Sequence, residues 1–308
     1  MKHFHEIEQK GLLWVNVTKQ GEKELEELGD RFHFDKVDLN ECLPPFQRPK
    51  MVKRAGYYFL VLHFPLFDRG SRRVRFTEID IFLNPNFLVT VHDGQLPPMR
   101  QFFEECSARP EVRAQFFSGT MAQPLFELLS RLLDSVMPSL LHINEDINAV
   151  DQKLFTETSD RAMAGEILRL KTNIVTFRRT MQGHRSVLER LLMNGDKDLM
   201  LGSYQPNFNA LREAETEIWH TLESQKESIY ALHETNESVL SYRSNEVMKF
   251  FTIISVVTLP LTLMASLFAI HAPSTPFVEN PSGFWIIFGI IFLIAIAMLA
   301  VFKKRKWM

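Results

Sequence analysis

From Phe250 to Ile270 no side chain is charged, and from Phe284 to Phe302 every residue is apolar or glycine. Each run reaches the roughly 20 residues needed to cross about 30 Å of hydrocarbon. A buried core helix of a soluble protein is a poor account of two such runs separated only by the loop 271–283. The pair predicts a two-span membrane hairpin attached to a large N-terminal part.

Basic residues set the expected orientation. The loop 271–283 has no Lys or Arg and one acid, Glu279, whereas Lys303, Lys304, Arg305 and Lys306 follow the second run and Arg243 and Lys249 precede the first. Lys and Arg are retained on the cytoplasmic side, so both termini are expected in the cytoplasm and the hairpin in the inner (plasma) membrane. The N-terminal stretch lacks the apolar core of a signal peptide, which leaves roughly 240 residues in the cytosol.

The two spans differ in kind. Placed at 100° per residue, Asn245, Met248, Thr252, Ser255, Leu259, Thr262 and Ser266 fall within about 100° of one helix face. They include every polar uncharged side chain of the first run except Thr258; the second run has none and can meet lipid all round. Such a stripe is either packing glue, with Ser and Thr bonded to their own backbone, or the wall of a narrow aqueous path enclosed by several copies. Pro260 leans toward the path. It offers no N–H to the carbonyl of Val256, so a neighbour, a water or an ion must satisfy that acceptor.

The N-terminal part begins as a mixture of strands and helices. Gly11–Val17, Tyr57–Phe64, Val74–Leu83 and Phe87–His92 read as strands and Gly21–Asp30 as an acidic helix, with turns at Asp68-Arg69-Gly70 and Asn84-Pro85-Asn86. After Pro97-Pro98 the pattern is helical. One amphipathic helix is expected from Leu125 to Leu154 and a second from about Asp160 to Met193. Beyond a loop, Asn194–Pro206, a third has no Gly or Pro from Asn207 to Leu259. It should run unbroken into the membrane as a rod of roughly 95 Å. Phe208, Leu211, Ile218, Leu222, Ile229, Leu232 and Val239 keep the spacing of a coiled-coil seam. Asn236, Val239, Arg243 and Glu246 are expected to carry that seam into the polar stripe. Glu215, Gln225 and Glu246 would then form polar rings about a shared axis, unless this is simply a solvated stalk face.

The expected class is an α+β/α membrane protein: an N-terminal α/β cytosolic domain, a long helical stalk and two C-terminal transmembrane helices. Its segments are 1–119 (α/β domain), 120–206 (long helices), 207–249 (stalk), 250–270 (first span), 271–283 (outer loop), 284–302 (second span) and 303–308 (basic tail).

Several chemistries are excluded. The 308 residues carry a net charge of −2 and no basic stripe with interleaved aromatics, which argues against nucleic acid. No G-x-x-x-x-G-K-[ST] and no G-x-G-x-x-G is present, so no nucleotide partner is expected. Cys42 and Cys106 lack CxxC spacing and read as reduced cytosolic thiols. His3 and His5 are candidate metal ligands, although a disordered terminus is the simpler reading. Glu22, Glu24, Glu26 and Glu27 read as a solvated helix face. No nucleophile-base pair or cofactor loop points to an enzyme. Transport would need no ATP, since an inside-negative potential supplies about 2.3 kcal/mol per charge per 100 mV.

The string NEVMKFFTIISVVTLPLTLMASLF, the loop and the terminal VFKKRKW resemble the CorA-type divalent cation transporter superfamily, which includes magnesium/cobalt channels and ZntB zinc transporters. WVNV near Trp14, QRPK at Gln47–Lys50, VLHFP at Val61–Pro65 and NFLVTVH at Asn86–His92 extend the likeness over essentially the whole chain. The resemblance implies a funnel-shaped homopentamer whose pore is lined by the first span, with the second span outside it. Residues at Asn245, Met248, Leu259 and Thr262 would lie along the pore, the apolar ones as constrictions.

The chain departs from the family at the outer mouth. Ala269-Ile270-His271 stands where the resemblance calls for Gly-Met-Asn, whose amide is thought to hold a hydrated ion. A neutral His271 imidazole favours Zn2+, Ni2+, Co2+ or Cu2+ over Mg2+ as substrate, and a protonated one would repel cations and make entry pH-dependent; the alternative is that His271 only caps or packs the loop. His271 and Glu279 are thus the candidate ion collectors, with His271 the candidate metal ligand. The divalent cation is substrate and candidate regulator, and no covalently bound cofactor is expected. The expected function is potential-driven divalent cation transport by a homo-oligomer in the bilayer. The alternative is a non-conducting scaffold or cation sensor with the same fold.

Overall fold

The alternating segments near the N-terminus form one six-stranded sheet. The computed structural model describes residues 3–18, 21–154, 160–199, 201–270 and 282–305, and the chain divides into two units, Met1–His233 and Glu234–Met308. In the first unit β1 (Phe4–Gln9), β2 (Leu12–Val17), β3 (Lys50–Lys53), β4 (Tyr58–Asp68), β5 (Arg73–Leu83) and β6 (Phe87–His92) lie in the order β1-β2-β6-β5-β4-β3. Only β2 and β6 pair in parallel. Lys10 and Gly11 both take positive φ, 52° and 78°, the primed turn that a tight hairpin needs. That hairpin overturns the expectation of a disordered terminus: His5 pairs with Asn16 in β1 and sets its ring 6.2 Å from that of Phe103. The edge strand β1 escapes a sequence reading because Ile7 is its one buried residue.

Each face of the sheet buries its own cluster. One face packs Val15, Phe59, Val61, Phe82 and Val89 under α1 (Glu22–Phe32) and α2 (Lys36–Glu41), which supply Leu25, Leu28 and Leu39. Asp35 caps α2 by accepting from the Val37 N–H at 2.9 Å. Asp38 is fully buried; Arg54 Nε donates to it at 2.9 Å, a second guanidinium nitrogen also bonds it, and the Tyr57 hydroxyl donates at 2.7 Å. This network ties α2 to the sheet. Of the four acids expected on a solvated helix face, Glu22 and Glu26 are exposed and Glu24 and Glu27 are half-buried.

The opposite face packs Trp14, Leu60, Leu62, Ile79 and Leu88 against the helical part. It begins with α3 (Pro97–Ala108), whose Phe102 and Phe103 rings lie 5.1 and 5.0 Å from Trp14. After α4 (Pro110–Phe116), the single helix expected from Leu125 to Leu154 is two, α5 (Ala122–Asp134) and α6 (Met137–Lys153). Pro138 has no N–H to give the Asp134 carbonyl, so the chain tightens at Ser135-Val136 and starts a new helix.

The next expected helix also divides, into α7 (Asp160–Met181) and α8 (His184–Asp198). Gly183 stands between them, where a Cβ would come 2.3 Å from Pro49 Cβ, so only glycine fits. His184 follows, buried, donating from Nε2 to the His63 carbonyl at 2.5 Å, and burial pushes its pKa down to about 4. The expected loop Asn194–Pro206 is shorter than read: α8 reaches Asp198, a 3₁₀ turn spans Leu201–Tyr204 and α9 starts at Gln205. α9 (Gln205–Ala269) continues for 65 residues with Pro260 inside it, and α10 (Gly283–Lys304) follows. Both are long and apolar enough to cross a membrane.

Candidate ion pathway

Burial along the membrane part of α9 is periodic. Ile253 is 8% exposed and Val257, Pro260, Leu261, Met264 and Phe268 are half-buried, the spacing of one helix face. α10 has a matching stripe, with Ile287, Ile291, Ile294, Ala295, Met298 and Phe302 half-buried. Two such stripes are what the arms of a hairpin bury against each other.

The polar stripe lies on the other side of α9, its centre about 160° away at 3.6 residues per turn. Asn245, Thr252, Ser255, Thr262 and Ser266 are exposed, as are Met248 and Leu259 at 61% and 69%. An open groove on this side is lined by Ser255, Thr258, Leu259, Thr262 and Ser266, with Ile254 and Leu263 at its edges. Thr258, the one polar side chain of the run outside the stripe's arc, widens the groove at one edge. Exposed Ala269 closes α9 and exposed Ile270 follows it. His271 and Glu279 lie outside the described residues.

Two threonines of the stripe have a chemical polarity. Thr252 Oγ1 donates to the Met248 carbonyl and Thr262 Oγ1 to the Thr258 carbonyl, each at 2.8 Å. A hydroxyl has one hydrogen. With that hydrogen committed to the backbone, both side chains offer only lone pairs outward, the polarity that suits a cation or its hydration water.

The coiled-coil seam does not run into this stripe, contrary to expectation. Phe208, Leu211, Ile218, Leu222, Ile229 and Leu232 are buried in the chain's own core. Glu215 and Gln225 are buried with them, and Gln225 Nε2 donates to the Leu140 carbonyl of α6 at 2.8 Å. Arg178 of α7 pairs with Glu223 at 2.6 Å and stacks over Trp219 at 5.0 Å. Glu215 and Gln225 therefore form no rings about a shared axis; the chain needs that face to close its own core. Carried onward from Asn236 through Val239, Arg243 and Glu246, the same spacing leads to Phe250, Ile253, Val257, Pro260 and Met264. From Ile253 onward that is the buried and half-buried face, not the stripe, while Phe250 is exposed. Glu246 is exposed and paired with Lys249 at 2.7 Å, a local ion pair rather than a bare acid.

Among the described residues no three or more His, Cys, Asp or Glu side chains converge to hold a metal. The family model described as CorA-like Mg2+ transporter protein matches residues 9–304. The cobalt/magnesium transport protein CorA of Thermotoga maritima is 24% identical over 297 residues, covering 96% of this chain and 83% of that protein. The structure of the CorA magnesium transporter from Methanocaldococcus jannaschii has the same fold, with a TM-score of 0.84 at 18% identity over 98% of this chain and 93% of that one. The full-length CmaX protein gives 0.75 at 19% identity over 96% and 89%. Since the family model matches through the sheet, the helical part and both apolar helices, the chain belongs to the CorA-like Mg2+ transporter protein family.

Proposed function

We propose that this chain is one protomer of a homo-oligomeric divalent cation transporter of the inner membrane, a homopentamer on the family pattern, with both termini cytoplasmic. Its path is walled by Asn245, Met248, Thr252, Ser255, Leu259, Thr262 and Ser266. The supporting observation is that this stripe is exposed on the side of α9 opposite the face half-buried in the hairpin. Met248 and Leu259 act as apolar constrictions, and the hydroxyl and amide oxygens replace part of the ion's hydration shell. The membrane potential drives entry, at about 4.6 kcal/mol per 100 mV for a divalent ion. At the outer mouth Ala269, Ile270, His271 and Glu279 meet the ion first, and an imidazole there favours Zn2+ or another transition ion over Mg2+.

The test is uptake of Mg2+, Zn2+, Co2+ and Ni2+ into liposomes holding the purified protein under an imposed potential. Flux of at least one cation above empty vesicles is expected; none for any of the four would leave a non-conducting scaffold or sensor. His271→Asn is expected to shift preference toward Mg2+, and His271→Ala to remove the pH dependence of Zn2+ entry. Unchanged ion preference and pH profile in both variants would return His271 to packing the loop.

A further inference from the structure

One buried acid on α9 lacks the partner that burial demands. Glu215 is 2% exposed, and its Oε2 is buried without a hydrogen-bond partner. A carboxylate in that position costs several kcal/mol unless it is neutralised or paired. It borders a cavity of about 250 Å3 with Gln182, Arg185, Thr216, Trp219 and His220, so there is room for a partner to enter. The cavity already holds one in waiting. Arg185 of α8 is occupied with Glu189, one turn further along, at 3.0 Å, with its side chain 67% exposed.

We infer that Glu215 is a proton-operated latch between α8 and α9. Protonated, it rests neutral beside the cavity and Arg185 stays on Glu189. Ionised, it draws the Arg185 guanidinium away from Glu189 and into the cavity, joining the two helices by an ion pair. The charged and titratable groups around it are Arg185 and Glu189 from α8, Arg178 from the end of α7, stacked on Trp219, and His220 with Glu223 from α9 itself. Burial pushes the Glu215 carboxyl above its ordinary range, Arg185 pulls it down and Glu189 pushes it up. The folded chain therefore holds this proton more tightly than the unfolded one. The stability it contributes is complete below the ordinary carboxylate pKa and is lost as pH rises through the raised folded value. α9 is also the helix that carries the polar stripe, so any effect on flux rests on the transport reading, whereas the titration does not.

The experiment follows tryptophan emission and the thermal unfolding midpoint of the full-length protein in detergent across pH, since Trp219 borders the cavity. Wild type is expected to show an emission transition, with the midpoint falling as pH rises through it. Glu215→Gln, which keeps the neutral form, should lack both, and His220→Gln should keep both. Arg185→Gln should move the transition to higher pH and Glu189→Gln to lower pH. A transition missing from wild type, retained in Glu215→Gln, lost in His220→Gln, or not displaced in opposite directions by the two exposed substitutions overturns the latch. None of these readings requires that the protein transport anything.

Discussion

Leu259→Lys is expected to give a protein that inserts normally and carries almost no cation. Leu259 is 69% exposed on the polar stripe, and no charged residue occurs between Phe250 and Ile270. If the stripe faces water, the new ammonium is solvated and insertion is little affected. A divalent cation passing at about 4 Å then meets about 2 kcal/mol of repulsion from each ammonium, even at the dielectric of water. That is roughly thirty-fold in rate for one copy, and the effect multiplies when several copies surround the path. Leu293 in α10 is equally exposed, at 69%, but lies on a helix with no polar stripe. Leu293→Lys should put the charge in lipid, at about 2.5–3.5 kcal/mol, and lower the amount of inserted protein while leaving flux per molecule unchanged. Equal flux in Leu259→Lys and wild type, or an insertion defect like that of Leu293→Lys, would show that the stripe faces lipid or another helix.

The largest expected loss of stability comes from Arg54→Met. Asp38 of α2 is fully buried, and it is held by Arg54 and by the Tyr57 hydroxyl, whose pKa burial pushes up to about 12. Without the guanidinium, a buried carboxylate is left with one neutral donor. Breaking a buried pair from one side costs about 3–5 kcal/mol. Arg54 is itself a third exposed, so solvent can partly replace it and the lower end applies, about 3 kcal/mol. For a unit of this size that corresponds to a fall of roughly 6–12 °C in the unfolding midpoint. Adding Asp38→Asn should recover part of the loss, because the orphaned charge goes with it. A midpoint within a degree of wild type in Arg54→Met would mean that Asp38 is not held as an ion.

The features that were legible in the sequence are those that depend on neighbours a few residues away. β6 is Phe87–His92 as the turn Asn84-Pro85-Asn86 and the apolar run indicated, and the stripe on α9 follows from spacing alone. The breaks at Ser135-Val136 and at Gly183 were not read. Apolar periodicity runs straight through both; one depends on the missing N–H of Pro138, the other on Pro49 arriving from a distant loop. The seam residues were correctly chosen but assigned to the wrong neighbour. Spacing says that a face is buried, not whether α5 to α8 of the same chain or a second copy buries it. Glu215 and Gln225 therefore looked like pore rings and proved to be interior groups.

The committed hydroxyls of Thr252 and Thr262 have a consequence for the sign of the ion. Chloride or phosphate is held by N–H and O–H groups, and two threonines that have turned their hydrogens back to the backbone have none to give. At those two positions of the proposed path a cation finds acceptors and an anion finds no donor. Charge discrimination of this kind needs no acid inside the bilayer, and it avoids the insertion penalty that a ring of aspartates at that depth would impose.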